Sequence, residues 1–272
     1  MYACIAPHGG EVVPALAGKR LDLFSPTRKG MRILAQNMKE SKPDTIVVAT
    51  PHNLRLQRHI GVVTSEYSSG KVTGGRKEIK MRARCDVDFS KGVVEAAGQR
   101  GLPVVAANYG ALEGRMSDLA MDWGTLIPLW FLLRGTGLKS KVVIITPSRG
   151  IPLKQNFDFG SVVGAVAERS KKRVAFVASA DQAHAHRKDG PYGYDRRAEQ
   201  YDRLVVDAIQ RDRLSAILDL DPEFVEGAKP DSLWQIAMLA GALSVVPMKG
   251  VLLSYQVPTY FGMLCASYSR KL

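Results

Sequence analysis

The sequence predicts an α/β fold: one layered domain over residues 1–272, with a mixed or parallel central sheet covered by helices on both faces. Three observations carry this. Short β-branched runs alternate with longer stretches of helical apolar spacing, the pattern of strands joined by helices. Several of those runs are apolar throughout rather than alternately, which suits strands buried on both faces. No repeat, low-complexity tract or Pro/Gly-rich linker interrupts the 272 residues, a length that one domain can fill with a core.

Taken in order, the first strand is expected at Tyr2–Ala6, closed by Pro7-His8. Residues 44–50 (Asp-Thr-Ile-Val-Val-Ala-Thr) form the second, closed by Pro51-His52. Further strands are expected at 60–65, 102–106, 141–146, 173–178 and 251–257. Helical spacing covers 27–41, 90–100, 157–170 and 196–212, with Ser90 and Asp195 as N-caps. Residues 183–194, rich in His, Gly and Pro, are a loop.

Composition narrows the class. Hydrophobic residues make up 46% and charged residues 24%, the balance of a globular protein. The longest apolar run, 126–133, carries Pro128 and stops at Arg134, too short to cross a bilayer. No basic stretch followed by an apolar segment opens the chain, so no secretory signal is expected. Three scattered cysteines, Cys4, Cys85 and Cys265, form neither a disulfide framework nor a zinc knuckle, and a reducing cytoplasm is the expected location. The net charge of +12 is spread along the chain without interleaved aromatics. That argues for a solvated basic surface that steers anions, and against nucleic acid as partner.

The chain has five histidines, and four of them fall in loops that follow predicted strands. In open α/β sheets, functional groups gather at the carboxyl ends of strands. His8 is followed by Gly9-Gly10, whose backbone freedom lets the chain curl around an ion or ligand. His52 follows Pro51 in the same way. Neutral imidazole is a ligand for iron and zinc, so the pair reads as a shared metal site, with ring nitrogens expected within about 6 Å of one another. The segment Ser179-Ala180-Asp181-Gln182-Ala183-His184-Ala185-His186 offers either a second metal arm or a general acid/base, His184 or His186, oriented by Asp181 or a neighbouring polar group. A zinc hydrolase is the competing reading of two histidines and a carboxylate, but no His-Glu-x-x-His helix supports it.

These motifs together resemble the class III extradiol, or LigB-like, ring-cleavage dioxygenases. The resemblance rests on the His8-Gly turn, Pro51-His52, and Asp122-Trp123-Gly124-Thr125 leading to Pro128-Leu129. It continues through Ser179 to His184, the loop Gly190-Pro191-Tyr192-Gly193-Tyr194-Asp195, and a C-terminal helix ending Gly241-Ala242-Leu243. It covers nearly the whole chain in the family's order. It implies a LigB-like fold and an iron(II) site of two histidines and one carboxylate, with zinc or another divalent metal as the alternative ion. Its substrates would be O2 and a catechol-like or 2-aminophenol-like ring. By resemblance, His8 and His52 are the imidazole ligands and His184 the acid/base that takes a phenol proton. Gly9, Trp123 and Tyr192 are expected to line the substrate site. Two features depart from the family pattern. Trp123 stands where many members have histidine, replacing a polar substrate contact with a flat apolar wall. The third ligand, usually a glutamate about ten residues before the Gly-Ala of the last helix, falls on Asp231, with Glu226 the second candidate. The family also implies a homo-oligomer or pairing with a homologous subunit. It contains non-catalytic and Memo-type relatives that keep the fold, and these are the rival functional reading.

Overall fold

The apolar runs pair into one eight-stranded sheet. The computed structural model describes residues 1–270. In chain order its elements are β1 (Tyr2–Ala6), α1 (Ser25–Ser41), β2 (Thr45–Ala49), β3 (Ile60–Val63), β4 (Tyr67–Gly74), β5 (Lys77–Arg84), α2 (Val87–Gln99), β6 (Val104–Ala107), β7 (Asp118–Ala120) and α3 (Trp123–Leu133). There follow β8 (Lys141–Thr146), α4 (Leu153–Arg169), β9 (Val174–Ser179), α5 (Arg196–Gln210), α6 (Pro222–Ala228), α7 (Leu233–Val245), β10 (Lys249–Gln256) and β11 (Met263–Ser269). The sheet order is β10-β11-β1-β9-β2-β8-β3-β6. Its central four strands, β1, β9, β2 and β8, run parallel, while β11 against β1 and β3 against β8 are antiparallel.

Period-two alternation sorts the central strands into two cores. Ala3, Ile5, Val47, Ala49, Val143 and Ile145 face α2, α4, α5 and α7. Tyr2, Cys4, Ala6, Ile46, Val48, Val142 and Ile144 face α1, α3 and the small sheet. Every residue of β1, β2 and β9 is buried, which is why these segments read as unbroken apolar runs. Each such Val or Ile contributes roughly 1.5–3 kcal/mol by leaving water, so the strands that carry the site sit in the most strongly held part of the molecule. Helices α4 and α7 pack at backbone contact. A Cβ at Gly160 would lie 1.9 Å from the Met238 carbonyl oxygen, and one at Gly241 1.9 Å from that of Phe157. This close approach fixes α7, and with it the segment before its first turn.

Three expectations are corrected. The N-cap of α2 is Asp86, whose Oδ1 accepts from the Phe89 N–H at 3.3 Å, while Ser90 is buried inside the helix. The last helix continues past Leu243 to Val245. A three-stranded sheet, β5-β4-β7, was absent from the sequence reading. Its hairpin turns at Gly75-Arg76, with Gly75 in the left-handed region at φ +58, a turn that glycine adopts without strain. The flanking residues are mostly polar, so they carry no apolar run. Strand β11 is also new, although Met263–Ser269 is as continuously buried as the strands read from sequence. No helix of the described residues is long and apolar enough to cross a membrane.

Candidate metal centre

Parallel strands end on one side of the sheet, and that edge gathers the chemistry. The loop after β1 supplies His8, the loop after β2 supplies His52, and the loop after β9 supplies Asp181 and His184. Asp231 arrives from the opposite direction, just before α7. A bridge between Ala183 and Pro230 and a hydrogen bond from the Asp231 N–H to the Gln182 carbonyl (3.3 Å) seat it beside the β9 loop.

His8 is buried, and its tautomer follows from its neighbours. The Ser179 hydroxyl donates to the Gly124 carbonyl at 2.5 Å, so its oxygen accepts from His8 Nδ1–H at 2.9 Å. The Nε2 lone pair is thereby directed at the other donors, the arrangement in which a second partner sets a ligand histidine. His8 Nε2 lies 3.1 Å from His52 Nε2, and each lies 3.2 Å from Asp231 Oδ2. The ring nitrogens of the two histidines thus fall well inside the limit expected of a shared site.

Two buried imidazoles at this spacing would also suit a plain histidine–histidine hydrogen bond. Asp231 argues against that. Its Oδ1 accepts from Arg149 Nη2 at 2.5 Å, while its buried Oδ2 points between the two imidazoles and hydrogen-bonds neither. A buried carboxylate oxygen with charge contacts but no aligned hydrogen bond remains under-satisfied. A cation shared with the two Nε2 atoms accounts for it. Edges of 3.1, 3.2 and 3.2 Å match adjacent corners of an octahedron with bonds of about 2.2 Å, so the residues fit a divalent ion bound on one face. The mixed nitrogen and oxygen donors suit iron(II) and also zinc.

Electrostatics agree with this donor set. Burial alone would raise the Asp231 carboxyl, but the facing imidazoles of His52 and His8 outweigh it and hold it well below the usual carboxylate range. Burial pushes His8 down, yet Asp181 and Asp231 overcome this and hold its imidazolium up to about 9. A metal needs the lone pair that this proton occupies. Cobalt(II) affinity of the metal-free chain should therefore rise with pH up to about 9, changing roughly tenfold per unit below that. Isothermal titrations at pH 6, 7 and 8 check this, and a flat profile would mean that His8 carries no proton to displace.

The remaining predicted residues fall into two groups. His52, Gly9, Trp123, His184 and Tyr192 line one cavity of about 680 Å³. Trp123 stacks on His52, ring centres 4.2 Å apart and planes 24° apart. His184 donates Nδ1–H to the Gln182 carbonyl at 2.8 Å and stacks on Phe261 at 5.1 Å, which leaves Nε2 free as an acceptor. Burial lowers its pKa, so it is neutral at pH 7. Gly9 is glycine for a different reason from the expected one. Its φ of −59 needs no special freedom, but a Cβ there would lie 2.2 Å from Met263 Cε. The pocket wall formed by Tyr260 and Phe261, in the turn between β10 and β11, was missed. Its aromatic pair next to Gly262 was the available signal.

Three placements are corrected. His186 turns away from the cavity, its Nε2 2.9 Å from the fully buried Asp202, which also accepts from Tyr255 and from the Ala183 N–H. It braces the loop instead of lining the site. Of the two candidates to orient His184, the neighbouring Gln182 carbonyl does so and Asp181 does not: its Oδ1 accepts the His8 backbone N–H at 3.0 Å, and burial raises its pKa. Glu226 lies on the surface of α6, its exposed side chain paired with Lys229, and is not among the three residues whose donor atoms converge.

Comparison with known proteins gives the relatives and the family. The chain is 26% identical over 253 residues to protein CA_C1420 of Clostridium acetobutylicum, covering 93% of this chain and 54% of that protein. It thus spans about half the length of that curated relative. It also shares the fold of the Escherichia coli K12 protein JW3007, described as uncharacterized, with a TM-score of 0.62 and 16% identity, over 99% of this chain and all of the other. Residues 2–263 match the family described as the catalytic LigB subunit of aromatic ring-opening dioxygenase, and the chain belongs to that LigB family.

Proposed function

We propose that this protein is a non-haem iron(II) extradiol dioxygenase that opens a catechol-like or 2-aminophenol-like ring with O2. One observation carries the reading. The orphaned Asp231 Oδ2 and the Nε2 atoms of His8 and His52 converge beside a cavity whose other wall holds a neutral, acceptor-ready His184. Iron(II) bound there would supply the O2 redox chemistry and a Lewis-acid anchor for two adjacent ring substituents. The protein's own groups do the rest. Trp123 and Phe261 offer flat walls to an aromatic ring, and Tyr192 meets His184 edge-on at the cavity side. His184 Nε2 takes a hydroxyl proton, and its Nδ1 bond to the Gln182 carbonyl holds the ring in the tautomer that can do so.

The test is oxygen uptake. Purified chain loaded with ferrous ion without air, then mixed with aerated catechol or 2-aminophenol, should consume one O2 per ring opened and give a coloured product. A chelator should abolish this.

Trp123 favours a second reading, a fold-retaining relative that holds a metal without ring cleavage. Its indole covers one face of His52 where a polar substrate contact stands in many relatives. Ferrous binding with no oxygen uptake on either ring would favour that reading over the first.

A further inference from the structure

A second cavity borders the loop that carries His52, and its chemistry differs from the first. It encloses about 590 Å³ between the loop after β2 and the loop after β8. Pro51, Leu54, Leu56 and Pro147 give it apolar walls, and its charged side chains are Arg55, Arg58 and Arg149. No acidic side chain lines it. Among the described residues neither Arg55 nor Arg58 has an ion-pair partner. Most other arginines that border a depression on this protein are paired, as Arg20 is with Glu11, Arg187 with Asp189 and Arg173 with Asp44.

The cavity is built, not accidental. The Ser148 hydroxyl reaches the carbonyls of both Leu56 (3.1 Å) and Gln57 (2.8 Å), which ties one loop to the other. Asn156, on α4, holds Ser148 by both its N–H and its carbonyl, at 3.2 and 2.9 Å. A Cβ at Gly150 would lie 2.0 Å from the Gln57 carbonyl oxygen, so the two loops are in backbone contact. Clamped loops present Arg55, Arg58 and Arg149 around one opening, so the backbone needs no ordering on binding. Arg149 lines the second cavity and also reaches the metal ligand Asp231. Nη2 is committed to Asp231, its guanidinium carbon lies 4.4 Å from the centre of the Trp234 ring, and the side chain is still 43% exposed.

We propose that this second cavity binds a small organic phosphate, its phosphate held by Arg55, Arg58 and Arg149 and its apolar part against Leu54, Leu56 and Pro147. Planar guanidinium forks match phosphate oxygens two at a time. Two guanidinium groups without an ion-pair partner, beside an Arg149 that already faces Asp231, favour a dianion over a single carboxylate. The ligand is distinct from the ring in the first cavity, and the inference does not depend on the iron reading. Because Arg149 also holds Asp231 Oδ1, an occupied second cavity competes for the group that aims Oδ2 at the metal. Phosphate binding and metal binding are therefore coupled, and reciprocally so.

The experiment uses the full chain with chelator present, so that no metal competes for the probe, and phenyl phosphate as titrant in a calorimeter. One site is expected. In the double variant R55A/R58A affinity should fall at least roughly tenfold, since each charge-assisted bond removed is worth that much. The His52→Ala variant, which dismantles the metal site, should still bind phenyl phosphate. Benzoate should bind more weakly than phenyl phosphate. Both side chains are exposed, so the thermal unfolding midpoint of R55A/R58A should match the parent and show that it is folded. Three results would overturn the proposal: unchanged phenyl phosphate affinity in the folded double variant, no binding to the parent, or loss of binding in His52→Ala alone. Tighter binding of benzoate would overturn the assignment to phosphate.

Discussion

Asp231→Asn should lower iron affinity on the order of a hundredfold or more and abolish oxygen uptake, while the chain stays folded. The substitution keeps shape and removes charge. Two neutral imidazoles and an amide oxygen neutralise a dication far less well than two imidazoles and a carboxylate. A capping role would have given the opposite result, because asparagine is as good an N-cap as aspartate. That role does not exist here: the cap position of α7 is Ser232, and Asp231 stands outside the helix with its side chain aimed at His8 and His52. The structural cost is confined to the pairing with Arg149, which is partly exposed and keeps access to water. Iron per chain in the purified variant, beside the parent and Glu226→Gln, is the measurement. Glu226 pairs only with Lys229 at the surface, so its variant should retain iron. Equal iron in Asp231→Asn and parent would remove the carboxylate from the donor set and, with it, the dioxygenase reading.

His184→Ala should leave iron in place and reduce turnover by about 10²–10⁴-fold, the usual contribution of a positioned acid/base. The residue lines the cavity, but its Nδ1 is taken by the Gln182 carbonyl and its ring is stacked on Phe261, so it does not belong to the donor triangle. The pH profile adds a signature. Burial lowers the His184 pKa below the ordinary imidazole value of 6.5, so the neutral, proton-accepting form persists to lower pH than in a free histidine. The acid limb of the parent's rate should therefore fall below pH 6.5 and disappear in the variant. Loss of iron from His184→Ala would make the residue a ligand and sink the acid/base assignment.

The two largest effects fall on residues that the sequence made legible to different degrees. His8 and His52 could be read because each follows a proline at the end of an unbroken apolar run. Such runs are recognisable wherever burial on both faces forces them, and β1, β2 and β9 are of that kind. The hairpin of β4 and β5 escaped because its faces are half-buried and mostly polar, leaving only a Gly-Gly turn as a sign. Asp195 was found as the cap of α5 because its carboxylate acts locally, accepting from the Arg197 N–H two residues on.

By itself, then, the sequence determined the layered α/β class, the ends of β1, β2 and β9, and the placing of His8, His52 and the His184–His186 pair in the loops that follow them. All of these follow from local periodicity and turn chemistry. The tertiary structure alone decided between Asp231 and Glu226, since the two are close in sequence and differ in which side of the chain the α6–α7 connection presents to the β9 loop. It alone separated His184 from His186, neighbours in a His-x-His pair that point to opposite partners, the cavity and Asp202. It alone brought Arg149 from the end of β8 onto Asp231, 82 residues away. These are relations between segments distant in sequence or between faces of one loop. Their energies come from burial and charge pairing across the fold, which no local pattern of residues encodes.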